Sequence, residues 1–403
     1  MGIIINIDEA LKQRSRYNVL REPLNDLLKD RQEEWEKKNP IDLLFQRGTI
    51  DTFQETYTSN IGFDHAFAET GDYAVSPIFN TAEGFSATYR TRTFQGSFII
   101  TQQVLEDGKL GQVRDDAKAF MKRWHGDLVE YAMKALEGAF GAEATFTGGD
   151  GTKSKIKLTS ADTVDGSLDG TKNPLFTNAH TVVKRDGMSD SDFNGAKQSN
   201  MFKASIDSTQ KADQAIVFGG DDPGQIMKLA DFLYQVISAM ENYKDDNNKI
   251  AGVSGAKSIV IPNYPRLKAA MNAALSMTTF DGVPNTAYQI ASVESTPYLN
   301  AITPCQNGVG FFVIDHSYNT ENHGLEFTER IPLTMDVIEQ KRPRGIVYDA
   351  RQRFDVNVAS WRGIAYCYIG ASVATGGAWN NTDKFTHLYV SKTLVNPTRE
   401  VAE

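Results

Sequence analysis

Residues 107–140 form the stretch that most restricts how this chain can fold. Apolar side chains recur there at steps of three and four, which is the spacing of one helix face. They include Leu110, Val113, Phe120, Trp124, Leu128 and Leu136. Charged residues lie mostly on the opposite face, and no proline interrupts the stretch. It predicts one amphipathic helix about 45 Å long, whose apolar stripe must be covered by other elements.

Composition restricts the class of protein. The chain has 403 residues, of which 40% are hydrophobic and 23% charged, enough for two or three subdomains with cores. Its net charge of −9 disfavours gripping nucleic acid by the phosphates, because that takes clustered lysine and arginine. Cys305 and Cys367 lack paired spacing and indicate free thiols in a reducing compartment. Without a signal peptide or an apolar run of about 18 residues, we expect a soluble cytosolic protein and no membrane.

The segment before the long helix has the pattern of a polar arm. Residues 7–37 are rich in charge and in helix formers, and Pro23 fits the first position of a second helix. The apolar stripe of that helix is thin, since it consists of Leu24, Leu27, Leu28 and Trp35. Such a helix is typical of a segment that lies along a partner, although a frayed terminal helix gives the same pattern.

A long hairpin is predicted next. Residues 50–104 alternate aromatic or β-branched side chains with polar ones, which indicates β-strands. Turn signals fall at residues 69–72 and at Glu83-Gly84. The middle of this stretch has too few large aliphatic residues for a core of its own. We therefore expect a hairpin that folds back on its own domain or reaches another subunit.

The part after the long helix changes character twice. Residues 145–212 are rich in Gly, Ser, Thr and Asp, which predicts a loop. From residue 216, strand patterns alternate with helices that begin near Pro223 and Pro265. This alternation predicts an α/β subdomain of about 150 residues. Further strands follow, and the polar tail is typical of an extended surface arm.

Residues that could carry chemistry are scattered. The six histidines form neither an HExxH motif nor a cluster with cysteine. His316 and His323 flank a polar loop and are expected to be solvated, while Arg351 and Arg353 are expected to pair with acids across strands. We therefore expect no enzyme, no cofactor and no metal site. A metal-dependent soluble hydrolase using His180, His316 or His323 is the alternative from another class.

The order of these parts resembles that of tailed-bacteriophage major capsid proteins, whose Hong Kong phage capsid fold is shared by encapsulin nanocompartments. Three segments carry the resemblance to the Mu-like head proteins: FIITQQVLEDGKLGQV before the long helix, NPLFTNAH after it, and IVYDARQRFDVNVASWRGIAYCYIGAS among the last strands. Together they extend the resemblance over about residues 40–372.

The resemblance implies an α+β phage major capsid fold. Its parts would be an N-terminal arm (1–56), an extended β-hairpin loop (57–93), a peripheral domain (94–215) with a spine helix (109–141) and the 145–212 loop, an α/β axial domain (216–361), and a return strand with a C-terminal arm (362–403). Strands around 94–104 and 362–372 are expected to form the peripheral domain with the spine helix. The expected spine-helix core is Leu110, Val113, Phe120, Trp124, Leu128 and Leu136, and the candidate intersubunit loop contacts are Phe79, Phe85 and Tyr89.

The resemblance also implies a function as the major head protein of a tailed bacteriophage or prophage. Copies would assemble as pentamers and hexamers, in the cytoplasm of a bacterial host, into an icosahedral virion shell around double-stranded DNA without sequence-specific binding. Expected partners are portal, scaffolding and head-completion or decoration proteins. The alternative within this fold is an encapsulin-like compartment that loads cargo enzymes. Some members of the family join subunits by a Lys–Asn bond from the extended loop, but residues 57–93 contain no lysine, so no such cross-link is expected.

Overall fold

A computed structural model gives the fold of the chain. It describes residues 4–7, 15–63, 81–107, 109–184, 188–205, 223–246, 248–280, 282–302, 309–341, 344–369 and 386–389. The chain divides into two compact units that interleave in sequence. The first unit comprises Met1–Glu55, Tyr89–Ala132 and Glu326–Asn357, and the second comprises Thr56–Thr88, Met133–Leu325 and Val358–Glu403.

Helices and strands are both abundant, which confirms the predicted α+β class. In chain order the elements are β1 (Ile4–Ile7), α1 (Ser15–Glu36), β2 (Gln46–Thr49), β3 (Gln54–Phe63), β4 (Thr81–Arg90), β5 (Arg92–Thr101), α2 (Gln102–Glu106), α3 (Leu110–Glu137), β6 (Ala144–Thr147), β7 (Lys153–Ile156), β8 (Thr159–Thr163), β9 (Lys172–Pro174), α4 (Asp190–Gly195), β10 (Met201–Ser205), α5 (Pro223–Glu241), β11 (Lys257–Pro262), α6 (Pro265–Ser276), β12 (Thr279–Phe280), β13 (Val283–Pro284), β14 (Ala291–Thr296), β15 (Val309–Asp315), α7 (His316–Glu321), β16 (Leu325–Lys341), β17 (Arg344–Val358), β18 (Ile364–Ile369) and β19 (Thr386–Tyr389).

The first unit is built on a mixed sheet. Its strands follow the order β1-β16-β17-β5, and β2 also pairs with β16. Burial alternates along β17, where Ile346, Tyr348 and Ala350 are buried and the residues between them are half-buried. Because successive side chains of a strand point to opposite faces, this alternation means that one face of the sheet is covered and the other is open.

The long helix α3 supplies that cover. Val113, Ala117 and Met121 pack in one cluster with the inward side chains of β5, β16 and β17. Each fully buried side chain of the size of valine or methionine stabilises the fold by about 1.5–3 kcal/mol. The helix runs over 28 residues, and a short 3₁₀ turn continues to Phe140, so the predicted long helix is confirmed with ends that differ by one to four residues.

The expected spine-helix core residues lie along this helix. Val113, Leu128 and Leu136 are at most 4% exposed. Phe120 and Trp124 are half-buried against the same cluster, and Trp124 Nε1 donates a hydrogen bond to Gln352 Oε1 at 2.9 Å. The side chain of Leu110 lies outside the described residues.

The arm helix differs from the prediction in two ways. Helix α1 is continuous and contains Pro23 in its interior, so there is no second helix that begins there. Leu24 and Leu28 are buried in the first-unit core, and Trp35 stacks on His125 of α3 with ring centroids 4.5 Å apart. The thin stripe is thus covered by the chain itself, and an external partner is not needed to bury it.

The second unit contains a six-stranded sheet in the order β14-β11-β15-β18-β10-β19. Strands β11 and β18 have almost no exposed side chains, as strands covered on both faces require. Helices α5 and α6 pack against each other and bury residues spaced at helical intervals. These are Leu229, Leu233, Ile237 and Met240 of α5, and Leu267, Met271 and Leu275 of α6. Both helices begin at the prolines predicted from the sequence.

Two strands expected in one domain lie in different sheets. The strand expected at 362–372 is β18, which pairs with β15 and β10 in the second unit. All its side chains are buried, so it needs a central position with cover on both faces. The neighbour of β5 is instead β17, from the range predicted for the axial domain, and its alternating burial suits a sheet with one open face.

The predicted hairpin is present in the described part, where β3 and β4 pair with each other and with no third strand. Glu83 and Gly84 lie inside β4, so the prediction of a turn there was wrong. A Cβ atom at Gly84 would lie 2.2 Å from Ser59 Oγ and 2.9 Å from Ser59 O. Glycine is therefore required by the close approach of the two strands.

The stretch predicted as the 145–212 loop contains regular structure. It includes the small sheets β6–β7 and β8–β9, the short helix α4, and β10 of the large sheet. Its many turn residues connect short strands, which explains why its composition indicated a loop. Within the described ranges, no helix has both the length and the apolar character needed to cross a membrane.

Replacing Trp124 tests the packing of α3. Trp124→Asp removes the ring and the bond to Gln352 and places a carboxylate against the core, so we expect a loss of at least about 3 kcal/mol in the free energy of unfolding. Lys118→Ala is the control, since its side chain is 42% exposed and its ion pair with Asp115 is 3.6 Å long. It should change stability by less than about 0.5 kcal/mol. Urea denaturation of the unassembled chain measures both, and similar stabilities for the two variants would contradict the assignment.

A pH prediction follows from the contact between α1 and α3. Burial lowers the pKa of His125 from 6.5 to about 4, and its Nε2 lies 2.9 Å from Gln32 Oε1. The folded state disfavours the charged form of the His125 ring. The free energy of unfolding is therefore highest above the pKa that His125 has in the unfolded chain, and it falls as the pH drops from about 6.5 toward 4. The loss should not exceed about 1.4 kcal/mol per pH unit. Denaturation at several pH values measures it, and His125→Phe, which keeps a ring beside Trp35, should reduce the slope in this window.

Candidate functional site

The second unit contains a cavity of about 310 Å³ at the base of the β3–β4 hairpin. Tyr57, Ser59 and Phe85 line it from the hairpin. Strand β8 contributes Ala161 and Asp162, and the other lining residues come from residues 245–246, from α7 with the residues that follow it, and from the segment 359–362 before β18. These are connections between strands and helices, which lie at the ends of the sheet and can therefore meet at one place.

A buried ion pair joins two of these walls. Arg362 Nη2 donates to Asp246 Oδ1 at 2.7 Å, and the two side chains are 8% and 7% exposed. Arg362 Nε also donates to the carbonyl oxygen of Lys244, and the guanidinium lies over the ring of Trp361. Burial opposes the charge of Arg362, but the carboxylate of Asp246 outweighs it and raises the pKa of the arginine. Arg362 therefore remains charged at all ordinary pH values.

The hairpin is attached to this ion pair by one hydrogen bond. Ser59 Oγ donates to Asp246 Oδ2 at 2.5 Å. Nearby, the ring of Tyr57 contacts that of His323 with centroids 4.0 Å apart. His323 has a φ of 50°, a backbone conformation that few residues other than glycine adopt. Its carbonyl oxygen accepts hydrogen bonds from the backbone N–H groups of Ala359 and Ser360, which hold the chain in that conformation.

A second buried polar group lies around Asp162. Its carboxylate accepts hydrogen bonds from Ser160 Oγ at 2.5 Å, Asn173 Nδ2 at 2.6 Å and the backbone N–H of Thr181 at 3.1 Å. His180 Nδ1 lies 3.2 Å from it. Burial raises the pKa of Asp162, but the neighbouring His180 and the hydrogen bonds lower it to about 2. The carboxylate is therefore ionised, and its oxygens are held by hydrogen bonds inside the fold.

The geometry of His180 decides what this group can do chemically. Its Nε2 lies 3.1 Å from the carbonyl oxygen of Leu175, and its ring stacks on Trp361 with centroids 3.9 Å apart. The His180 side chain is 0% exposed, and both of its ring nitrogens face groups of the same chain. A general base must reach the proton that it removes from a nucleophile, so this buried ring does not support His180 as the general base of a hydrolase.

The other residues considered for chemistry do not converge. His316 is half-buried at the start of α7 and His323 contacts Tyr57, so the expectation of two solvated loop histidines was wrong. Within the described residues, no group of three His, Cys, Asp or Glu side chains could hold a metal ion. Arg353 Nε donates to the hydroxyl of Thr93, a neutral partner in place of the expected acid.

The predicted loop contacts have different surroundings. Phe79 lies outside the described residues. Phe85 and Tyr89 are 1% and 0% exposed within this chain, because β4 folds them into the interior. Their side chains therefore offer no area to a second copy, which is a correction to the choice of these residues as contacts.

Sequence reasoning missed the residues that form the base of the hairpin. Ser59, Asp246 and Arg362 are far apart in the chain and none belongs to a recognisable motif. A glycine within a strand can indicate a close approach of another backbone, but Gly84 was interpreted as part of a turn. The segment NPLFTNAH was singled out, and it supplies Asn173 and His180 to the group around Asp162.

No protein-family model and no protein of curated function matches the chain. Among solved structures, the capsid of Myoviridae phage XM1 is 13% identical with a TM-score of 0.39, covering 80% of this chain and 90% of that one. The mature capsid of bacteriophage PhiM1 is 8% identical with a TM-score of 0.43, covering 81% and 86%. A virus-like particle from Pyrococcus furiosus is 9% identical with a TM-score of 0.40, covering 86% and 98%.

Two of these structures are phage capsids, and the third is a virus-like particle. The chain covers most of each one's length.

Removal of the arginine tests the ion pair at the hairpin base. Arg362→Met leaves the carboxylate of Asp246 buried without its counter-charge, so we expect a loss of about 3–5 kcal/mol in the free energy of unfolding. The matched control is Arg123→Met, which removes an ion pair to Asp127 whose arginine is 74% exposed. That control should cost less than about 1 kcal/mol. Urea denaturation compares them, and equal losses would show that the buried pair has no special role.

Proposed function

We propose that this chain is the major capsid protein of a tailed bacteriophage or prophage. Copies would assemble as pentamers and hexamers into an icosahedral shell that encloses double-stranded DNA. The observation that carries the proposal is the β3–β4 hairpin, whose ten-residue strands pair only with each other in the described part of the chain. Because neither strand has a third strand beside it in the described part of the chain, the hairpin has backbone edges that a second copy would meet in a shell.

The attachment of the hairpin supports this role. Ser59 joins it to a buried ion pair, and Gly84 lets β3 and β4 approach closely at the same level. A fixed base directs a hairpin more reproducibly than a free loop would. In a shell, every copy must present the same contact in the same direction, because repeated contacts close only when the rotation between copies is constant.

Charge supports a container for DNA. The net charge of −9 means that a shell of many copies would repel nucleic acid on average, and neutralised phosphate contacts provide most non-specific DNA affinity. DNA held by enclosure, without sequence-specific contacts, can be packed and later released. Portal, scaffolding and head-completion or decoration proteins would be the partners of such a shell in the host cytoplasm and in the virion.

Electron microscopy of the purified, expressed chain tests the proposal. We expect closed shells, capsomers or tubes, and a monomer that never assembles under any condition would contradict it. Denaturing gel electrophoresis of the boiled particles should give one band near 44.6 kDa, because residues 57–93 contain no lysine for a covalent link. A ladder of multimers would overturn that expectation.

The encapsulin-like alternative requires a separate test, since both kinds of particle form shells. Particles isolated from the native cell and treated with nuclease should contain protected double-stranded DNA. A co-purified enzyme inside the particles, with no protected DNA, would favour the compartment.

A further inference from the structure

Strand β5 leaves one long edge of the first-unit sheet without a partner. All ten of its residues pair with β17 in one unbroken antiparallel register, and β5 is the last strand in the sheet order. Backbone hydrogen bonds made by turns and loops of the described chain do not involve residues 93–100 either. The outer edge of β5 therefore presents a row of N–H and C=O groups that no described backbone group satisfies.

This edge lacks the features that protect exposed strands. Proteins usually guard a sheet edge with lysine or other charges, with proline, with a bulge or with short length. From Thr93 to Thr101 there is neither a charge nor a proline, and the register with β17 contains no shift. Arg92, the one charged residue of the strand, is engaged with Asp355 at 2.9 Å. The edge is thus long, regular and uncharged, which is what a pairing surface requires.

The strand is also held rigidly as a template. Phe94 stacks on Phe354 and Phe98 stacks on Tyr348, with ring centroids 4.4 and 5.0 Å apart. The side chains on the opposite face of β5 are exposed and uncharged. They belong to Thr93, Gln95, Ser97 and Ile99. The β5 backbone is already fixed before an added strand binds. The pairing would therefore cost β5 little conformational entropy.

We propose that β5 pairs antiparallel with β5 of a second copy, across a two-fold axis near Gly96, and this rests on the proposed function as a shell. Such pairing must be self-complementary. A register centred on Gly96 places Phe94 opposite Phe98 of the second copy and Gln95 opposite its Ser97, and each pair occurs twice. No like charges face each other within Thr93–Ile99, so nothing in the sequence opposes the pairing.

This contact differs in kind from those that build rings. Pentamers and hexamers need contacts in which two different surfaces meet, whereas a two-fold contact joins the same surface of both copies. The paired β5 strands would extend one sheet continuously through two copies. Such a contact can connect one ring of subunits to the next without using the surfaces that close each ring.

Cysteine cross-linking during assembly tests the pairing. Chains carrying Gln95→Cys and chains carrying Ser97→Cys, both with Cys305→Ser, are assembled separately and as a mixture and then oxidised. Cys367 is fully buried and does not interfere. We expect a disulfide-linked dimer on a non-reducing gel in the mixture and loss of that band on reduction. Thr145→Cys, at an exposed strand position of β6, is the control and should give no dimer.

The outcomes separate this inference from the proposed function. A dimer from Ser97→Cys alone would support the pairing with the axis moved to Ser97. Closed shells in the electron microscope with no dimer from either β5 variant, alone or mixed, would overturn the pairing and leave the shell intact. Dimers without shells would support the pairing and contradict the proposed function, and the absence of both would overturn both.

Discussion

The packing of one apolar helix stripe on one sheet determines most of what the first unit must be. Helix α3 has no means of burying Val113, Ala117 and Met121 by itself, so a sheet has to cover them. That sheet is assembled from segments before, next to and long after the helix in the chain. Strands β16 and β17 belong to the first unit, and the long stretch Met133–Leu325, from the last part of the helix to the start of β16, folds in the second unit. The packing of α3 on strands so distant in the chain therefore contributes to the interleaved architecture.

This constraint also explains which features the sequence could predict. The 3.6-residue period of α3 and the prolines that open α5 and α6 are local signals, and the elements appear where those signals lie. The pairing of β5 with β17 is not local. In the sequence, β17 alternates polar and apolar residues, whereas β18 is almost entirely apolar. This difference could have indicated which of the two strands lies in a sheet with one open face, but the prediction did not use it. Pro23 was misread for a related reason, since the tertiary packing of Leu24 and Leu28 carries α1 through a residue that ends most helices.

Local sequence patterns could not predict the buried polar groups of the second unit. Asp246 and Arg362 are separated by 116 positions and Ser59 and Asp246 by 187. Neither residue of the ion pair carries a pattern of its own, because a buried charge is recognisable only through the partner that neutralises it. Asp162 and His180 are closer, at 18 positions, and the segment that contains His180 did attract notice. Its ring is fully buried between Asp162, Leu175 and Trp361, which indicates a structural role for that histidine.

The contrast between side chains with partners in the chain and strand edges without a neighbouring strand indicates how copies would meet. In the second unit the buried pairs Arg362–Asp246 and His180–Asp162 are formed within the chain, and in the first unit the stripe of α1, which looked unpartnered in the sequence, is covered by α3. Among the described strands, backbone without a strand partner remains in the β3–β4 hairpin, which has no third strand, and along the outer edge of β5. Backbone groups are directional and repeat along a strand, so they specify alignment between subunits more strictly than apolar contact does. A particle built from many identical copies depends on that alignment, because a small angular error at each contact would accumulate and prevent closure.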